Sequence, residues 1–88
     1  MPRAPRINSR QTIRALRRLG WEEERQRGSH LILSHPDHPG RLVVVPVHGG
    51  ETLKPKTLSS IAEQAGLSID DFRRVLSART VSGEEDEA

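Results

Sequence analysis

Between Gly20 and His48 the chain carries three strand-like runs whose connections are too short to hold a helix. Trp21 to Arg27 alternates weakly, His30 to Ser34 is apolar, and Arg41 to Val47 is rich in β-branched valine. Gly28-Ser29 is a two-residue turn signal. His35-Pro36-Asp37-His38-Pro39-Gly40 is a loop, because two prolines and a glycine cannot continue a ladder. Parallel strands need a crossover of about a dozen residues or more, so these runs must pair antiparallel as a meander. Arg41 to Val47 reads as a central strand up to Pro46, where the missing N–H marks an edge or a strand end.

Helical patterns flank the meander. Ile13, Leu16 and Leu19, joined by Thr12 and Ala15, recur at helical spacing over residues 9–19. Asn8 or Ser9 can cap that helix, and Gly20 ends it. Arg10, Arg14, Arg17 and Arg18 fall mostly off the apolar stripe. Downstream, Thr57 reads as the N-cap of a second helix, with Leu58, Ile61, Ala62 and Ala65 on one face and Gly66 closing it. Ser68-Ile69-Asp70-Asp71 has the spacing of a capping box, and Phe72, Val75 and Leu76 form the apolar face of a last helix to about Ala78. The expected class is α+β, in the order α-β-β-β-α-α. A three-stranded antiparallel sheet can bury one face under helices and leave the other for a ligand.

At 88 residues the chain is one domain with a thin core, and only Trp21 and Phe72 are aromatic. Residues 9–79 are expected to form that domain, between a flexible basic arm over 1–8 and an acidic, disordered tail over 80–88. There is no cysteine, which excludes disulfides, thiol nucleophiles and zinc-ribbon or iron–sulfur sites, and fits a reducing cytoplasm. No run is long enough to span a membrane, and the basic start has no apolar stretch behind it, so a secretory signal is not expected.

The charge is unevenly placed. The formal balance is +2, yet Glu84, Glu85, Asp86 and Glu87 sit together near the end. Without them 14 cations face 8 acids, a balance of +6. Twelve of the 14 cations are arginine, whose planar multi-donor fork suits phosphate. The competing reading is a set of solvated faces.

Candidate chemistry rests on four histidines: His30, His35, His38 and His48. A metal site of His35, His38 and His48 would need a proline-locked loop to supply ligands, and no standard ligand spacing is present. No metal or cofactor is expected. His30 follows the Gly28-Ser29 turn, where glycine lets a bulky substrate approach the backbone. Arg25 and Arg27 precede it on one face of the first strand, and Arg41 lies on the strand beyond the hairpin. An imidazole among guanidinium groups suits RNA cleavage: it can exchange a proton with the ribose 2′-hydroxyl or the leaving oxygen, while cations neutralise charge on phosphate. The competing reading makes His30 a half-buried strand residue bonded to a carbonyl. Ser29 reads as a turn or phosphate-contact residue, because neighbours on a strand point to opposite faces. His35 and His38 read as solvated loop residues.

Leu16-Arg17-Arg18-Leu19-Gly20-Trp21, Arg27-Gly28-Ser29-His30, Val44-Val45-Pro46-Val47-His48, Leu53-Lys54-Pro55-Lys56-Thr57-Leu58 and Ile61-Ala62-Glu63-Gln64-Ala65-Gly66-Leu67 occur in that order. Together they resemble the HicA toxin family, from about Ser9 to Leu76. The resemblance implies a double-stranded-RNA-binding-like α-β-β-β-α fold and a ribosome-independent endoribonuclease acting on mRNA. It implies His30 as the catalytic residue and a HicB antitoxin that masks it. Gly28, Ser29, Arg25, Arg27, Arg41, His48, Lys54 and Lys56 are then expected to contact substrate. Lys56 departs from the family, which usually has glycine just before the Thr-Leu that opens the second main helix.

Two other readings stand beside a nuclease. One is a non-catalytic double-stranded-RNA-binding module, which requires no histidine but usually a long basic final helix. Phe72 to Ala78 is short, with only Arg73 and Arg74 charged. The other is a protein-interaction adaptor that acts through its partner.

Overall fold

The computed structural model describes residues 7–47 and 52–77. Six elements follow one another: α1 (Ser9–Arg18), β1 (Glu22–Arg27), β2 (His30–Ser34), β3 (Leu42–Pro46), α2 (Pro55–Gln64) and α3 (Ile69–Ser77). The expected arm over Met1 to Arg6, the His48-Gly49-Gly50 turn, the helix end at Ala78 and the acidic tail lie outside the described residues.

Local chemistry sets the ends of α1. The Gln11 N–H donates to Asn8 Oδ1, and the Asn8 N–H donates to Gln11 Oε1, each at 2.9 Å. This reciprocal box satisfies two backbone donors that the first turn leaves open. At the other end the Trp21 N–H donates to Leu16 O and the Gly20 N–H to Arg17 O, both at 3.0 Å. That is a Schellman closure, and it needs the positive φ of +100° at Gly20. Ile7 and Asn8 belong to the folded unit rather than to an arm. The Leu53 N–H donates to Ile7 O at 2.7 Å, and Asn8 bridges Thr52.

The sheet is an antiparallel meander in the order β1-β2-β3. The central strand is therefore β2, and β3 is an edge, which corrects the expectation for Arg41 to Val47. Pro46 fits an edge because it has no N–H to give. The outer edge of β3 is occupied: the Val44 N–H donates to Gln64 Oε1 of α2 at 2.9 Å. On β1, every residue from Glu22 to Arg27 is exposed, and the register slips between Glu23 and Arg25 at a bulge. Gly28 has φ +58° and Ser29 does not share it, the demand of a two-residue turn with glycine first.

Pairing divides the sheet into two faces. Leu31 lies beside Val45, and Leu33 beside Val43. These four face the helices and join Leu16, Ile61, Phe72 and Leu76 in one aliphatic core around a single phenylalanine. His30 beside Pro46, and Ile32 beside Val44, occupy the opposite face. Removing the Phe72 ring, which is fully buried, would cost about 3–5 kcal/mol.

The second helix starts earlier than expected. Lys54 is the N-cap, Pro55 opens the helix, and Thr57 is already inside the first turn. Proline's fixed φ and missing N–H suit the first helical position, so it displaces Thr57 from the capping role. For α3 the expected signal holds: the Asp71 N–H donates to Ser68 Oγ at 3.1 Å. The Arg18 guanidinium donates to Val75 O at 2.9 Å and ties α1 to α3.

Candidate nucleic-acid interface

His30 is the first residue of β2 and is exposed. Its neighbours across the sheet are Arg27 on β1 and Pro46 on β3. Arg25 stands opposite Ile32, two positions along, so Arg25, Arg27 and His30 share the face turned away from the core. Arg27 makes no ion pair among the described residues, whereas Arg25 Nη1 lies 3.3 Å from the Glu24 carboxylate. That contact is solvent-exposed on both sides and weak.

The other wall of the site comes from α2. His30, Val44 and Pro46 line a shallow groove with Lys56, Thr57, Ser60 and Gln64. The first turn of α2 faces this groove, and its N-cap Lys54 supplies no side-chain acceptor to the opening N–H groups. Backbone donors and the positive end of the helix dipole therefore join an ammonium and two hydroxyls beside one imidazole. Chemically, this is a place for an anion next to an imidazole that can exchange a proton with a bound group.

The expected residues do not all meet. Gly28 and Ser29 form the turn that delivers His30, and Ser29 O accepts the Val47 N–H at 2.6 Å. Lys56 lies in the His30 groove; Lys54 is the N-cap of α2 and is not among the groove's lining residues. Arg41 does not join them. It precedes the Leu42–Ser34 pair, about 16 Å along the sheet from the His30 row. Its guanidinium lies over Gly66, where a Cβ would come within 2.7 Å of Nη1. His48 lies outside the described residues. From the sequence Thr57 has only a capping role, and Thr57, Ser60 and Gln64 are not placed in the site. Their signal is a polar i, i+3 and i+7 row opposite the apolar stripe of α2.

His38 is exposed in the loop, as expected, whereas His35 is half-buried and is not a solvated residue. His35 Nδ1 accepts the Asp37 N–H at 3.0 Å. Its other nitrogen, Nε2, is 2.9 Å from Leu19 O, so it is the protonated one in this network. The ring meets Trp21 edge-on at 5.1 Å, and the His38 ring stacks over Trp21 at 6.0 Å. Both ring nitrogens of His35 are thus engaged in holding the β2–β3 loop to the end of α1. Among the described residues no group of three or more His, Asp or Glu side chains converges as metal ligands.

No helix of the described residues is long and apolar enough to cross a membrane. No individual curated protein matches the chain. A family model described as the HicA toxin of bacterial toxin–antitoxin systems matches residues 9–67, from the start of α1 to just past α2. That is two thirds of the 88 residues, and the chain belongs to the HicA toxin family.

Proposed function

We propose that this chain is the endoribonuclease toxin of a toxin–antitoxin pair, cleaving mRNA in the cytoplasm with His30 as general acid or base. The observation that carries the reading is the exposed His30 imidazole, set beside Arg27, which has no ion pair among the described residues, and near the Lys56 end of α2. The nucleophile belongs to the substrate. The 2′-oxygen attacks the neighbouring phosphorus, the bond to the 5′-oxygen breaks, and a 2′,3′-cyclic phosphate remains. His30 accepts the 2′-hydroxyl proton or delivers one to the leaving 5′-oxygen. A second proton carrier completes the exchange, with His48 or water filling that role. Arg27, Lys56 and the opening N–H groups of α2 neutralise the growing phosphorane charge. No step requires a metal-bound water.

A HicB-type antitoxin would silence the toxin by covering the His30 face, and the exposed cations there call for an acidic surface on that partner. The test is His30→Ala. The variant should fold with an unchanged circular dichroism spectrum and lose RNA cleavage. A folded variant that still cleaves would reject the assignment. Intact RNA recovered from a wild-type complex would instead favour a binding module without catalysis.

A further inference from the structure

A second basic surface lies on the other side of the sheet. Arg10, Arg14 and Arg17 form one row along α1 and line a groove with Ile13, Val47 and Glu23. Arg17 is committed, because its guanidinium pairs with the Glu23 carboxylate. Arg10 and Arg14 are exposed and have no ion pair or side-chain hydrogen bond among the described residues.

This charge works against the helix that bears it. The α1 sequence SRQTIRALRR contains no acidic residue. Arg10 and Arg14 are like charges at i, i+4, and so are Arg14 and Arg18; such pairs destabilise a helix. Arg10 also sits in the first turn, where the dipole disfavours a cation. Local rules broken on a well-capped helix point to a use elsewhere.

The groove leads to the His30 site. Val47 forms one end of it, donates to Ser29 O, and follows Pro46, the strand partner of His30. Glu23 forms the far end, beside Leu33 in the register. By register and strand spacing the span between them is about 16 Å, and the arginine row, with a rise of about 10 Å from Arg10 to Arg17, runs along part of it.

We infer that the α1 groove is a second binding site for the sugar–phosphate backbone of the RNA, holding through Arg10 and Arg14 the stretch that flanks the cleaved bond. The assignment rests on the RNA reading above and extends it to a surface on which His30 does not stand. An RNA strand rounding the Gly28-Ser29 turn would meet the arginine row on one side of the sheet and the imidazole on the other. Contact is through charge and geometry, so it carries no base preference.

The experiment measures single-stranded RNA binding by the full chain in a His30→Ala background across a salt series. Arg10→Gln with Arg14→Gln should flatten the log K against log salt slope by about 1.4, the share of two phosphate contacts on a single strand. Arg10→Lys with Arg14→Lys should keep the slope. In the active chain, the Gln pair should raise KM for long RNA, leave kcat alone, and leave a dinucleotide substrate untouched. Its melting temperature should equal or exceed the wild type, so a loss of binding would not be a loss of fold. An unchanged slope overturns the inference even if His30→Ala abolishes cleavage. So does a slope change seen only after deletion of Gly83–Ala88, which would assign the groove to the acidic tail. Loss of antitoxin capture with an unchanged RNA slope would assign it to the partner protein. A wild-type chain that binds no RNA defeats both readings, whereas a His30→Ala chain that still cleaves defeats only the catalytic one.

Discussion

The two ends of β2 each hold a histidine, and the two imidazoles have opposite lives. His30 opens the strand on the exposed face and makes no hydrogen bond among the described residues. His35 follows the strand's last residue, is half-buried, and spends both nitrogens on backbone groups. The side chain is the same; the surroundings leave one ring exposed and make the other a clasp. A ring nitrogen already bound to Leu19 O or to the Asp37 N–H has nothing to offer a substrate. The ring beside Arg27, with neither nitrogen hydrogen-bonded among the described residues, is open to one.

Substitutions can break this contrast. The largest expected effect is that of His30→Ala on rate, a fall of about 10²–10⁴-fold in RNA cleavage. Its thermal stability should stay within about 0.5 kcal/mol of the parent, because the ring is exposed. His35→Ala should show the reverse: a loss of about 2 kcal/mol in denaturant unfolding, with the folded protein still cleaving RNA at the parental rate. The loss arises because Leu19 O would be left without its donor and Trp21 without its edge-on neighbour.

Gly20→Ala sharpens the clasp end. A Cβ there would come within 2.5 Å of His35 Nε2, on a backbone with φ +100°. The expected destabilisation is about 2 kcal/mol. In a His35→Ala background the collision is gone, so the same substitution should cost roughly 1 kcal/mol less, and a double-mutant cycle reads that coupling. Strict additivity would dismiss the contact. At the chemical end, Lys56→Gln should lower kcat/KM about tenfold through one lost charge on the phosphate. The smallest effect is a gain: Arg10→Gln should raise stability by about 0.3 kcal/mol in denaturant melts, by relieving the Arg14 repulsion and the first-turn cation.

The parts of the fold that were legible in the sequence are those decided within a few residues. Asn8, one of two cap candidates, Gly20, Gly28-Ser29 and Ser68 with Asp71 each act over one to four positions, and each sits where local chemistry places it, the reciprocal Gln11 contact being added by the structure. What required the structure depends on neighbours distant along the chain. The valines of β3 suit a central strand equally well, and only Gln64 arriving from α2 makes that strand a covered edge. Thr57 has the chemistry of a cap, but Pro55 two residues earlier claims the helix start. At the site, the shared face of Arg25, Arg27 and His30 followed from a period of two through the turn. The placement of Arg41 did not, because one strand's length separates it from that row. Nothing local distinguishes His35 from His30; the difference lies in Leu19, sixteen residues upstream.

The Gln64 amide on Val44 has a consequence for how this molecule behaves among copies of itself. A sheet lengthens from strand to strand only where bare backbone donors and acceptors meet. On the β3 flank a carboxamide already occupies that position. The β1 flank offers Glu-Glu-Glu-Arg-Gln-Arg, a run of solvated charge that resists stacking against another strand. Both flanks thus disfavour a fourth strand from a second copy, without the sheet closing into a barrel.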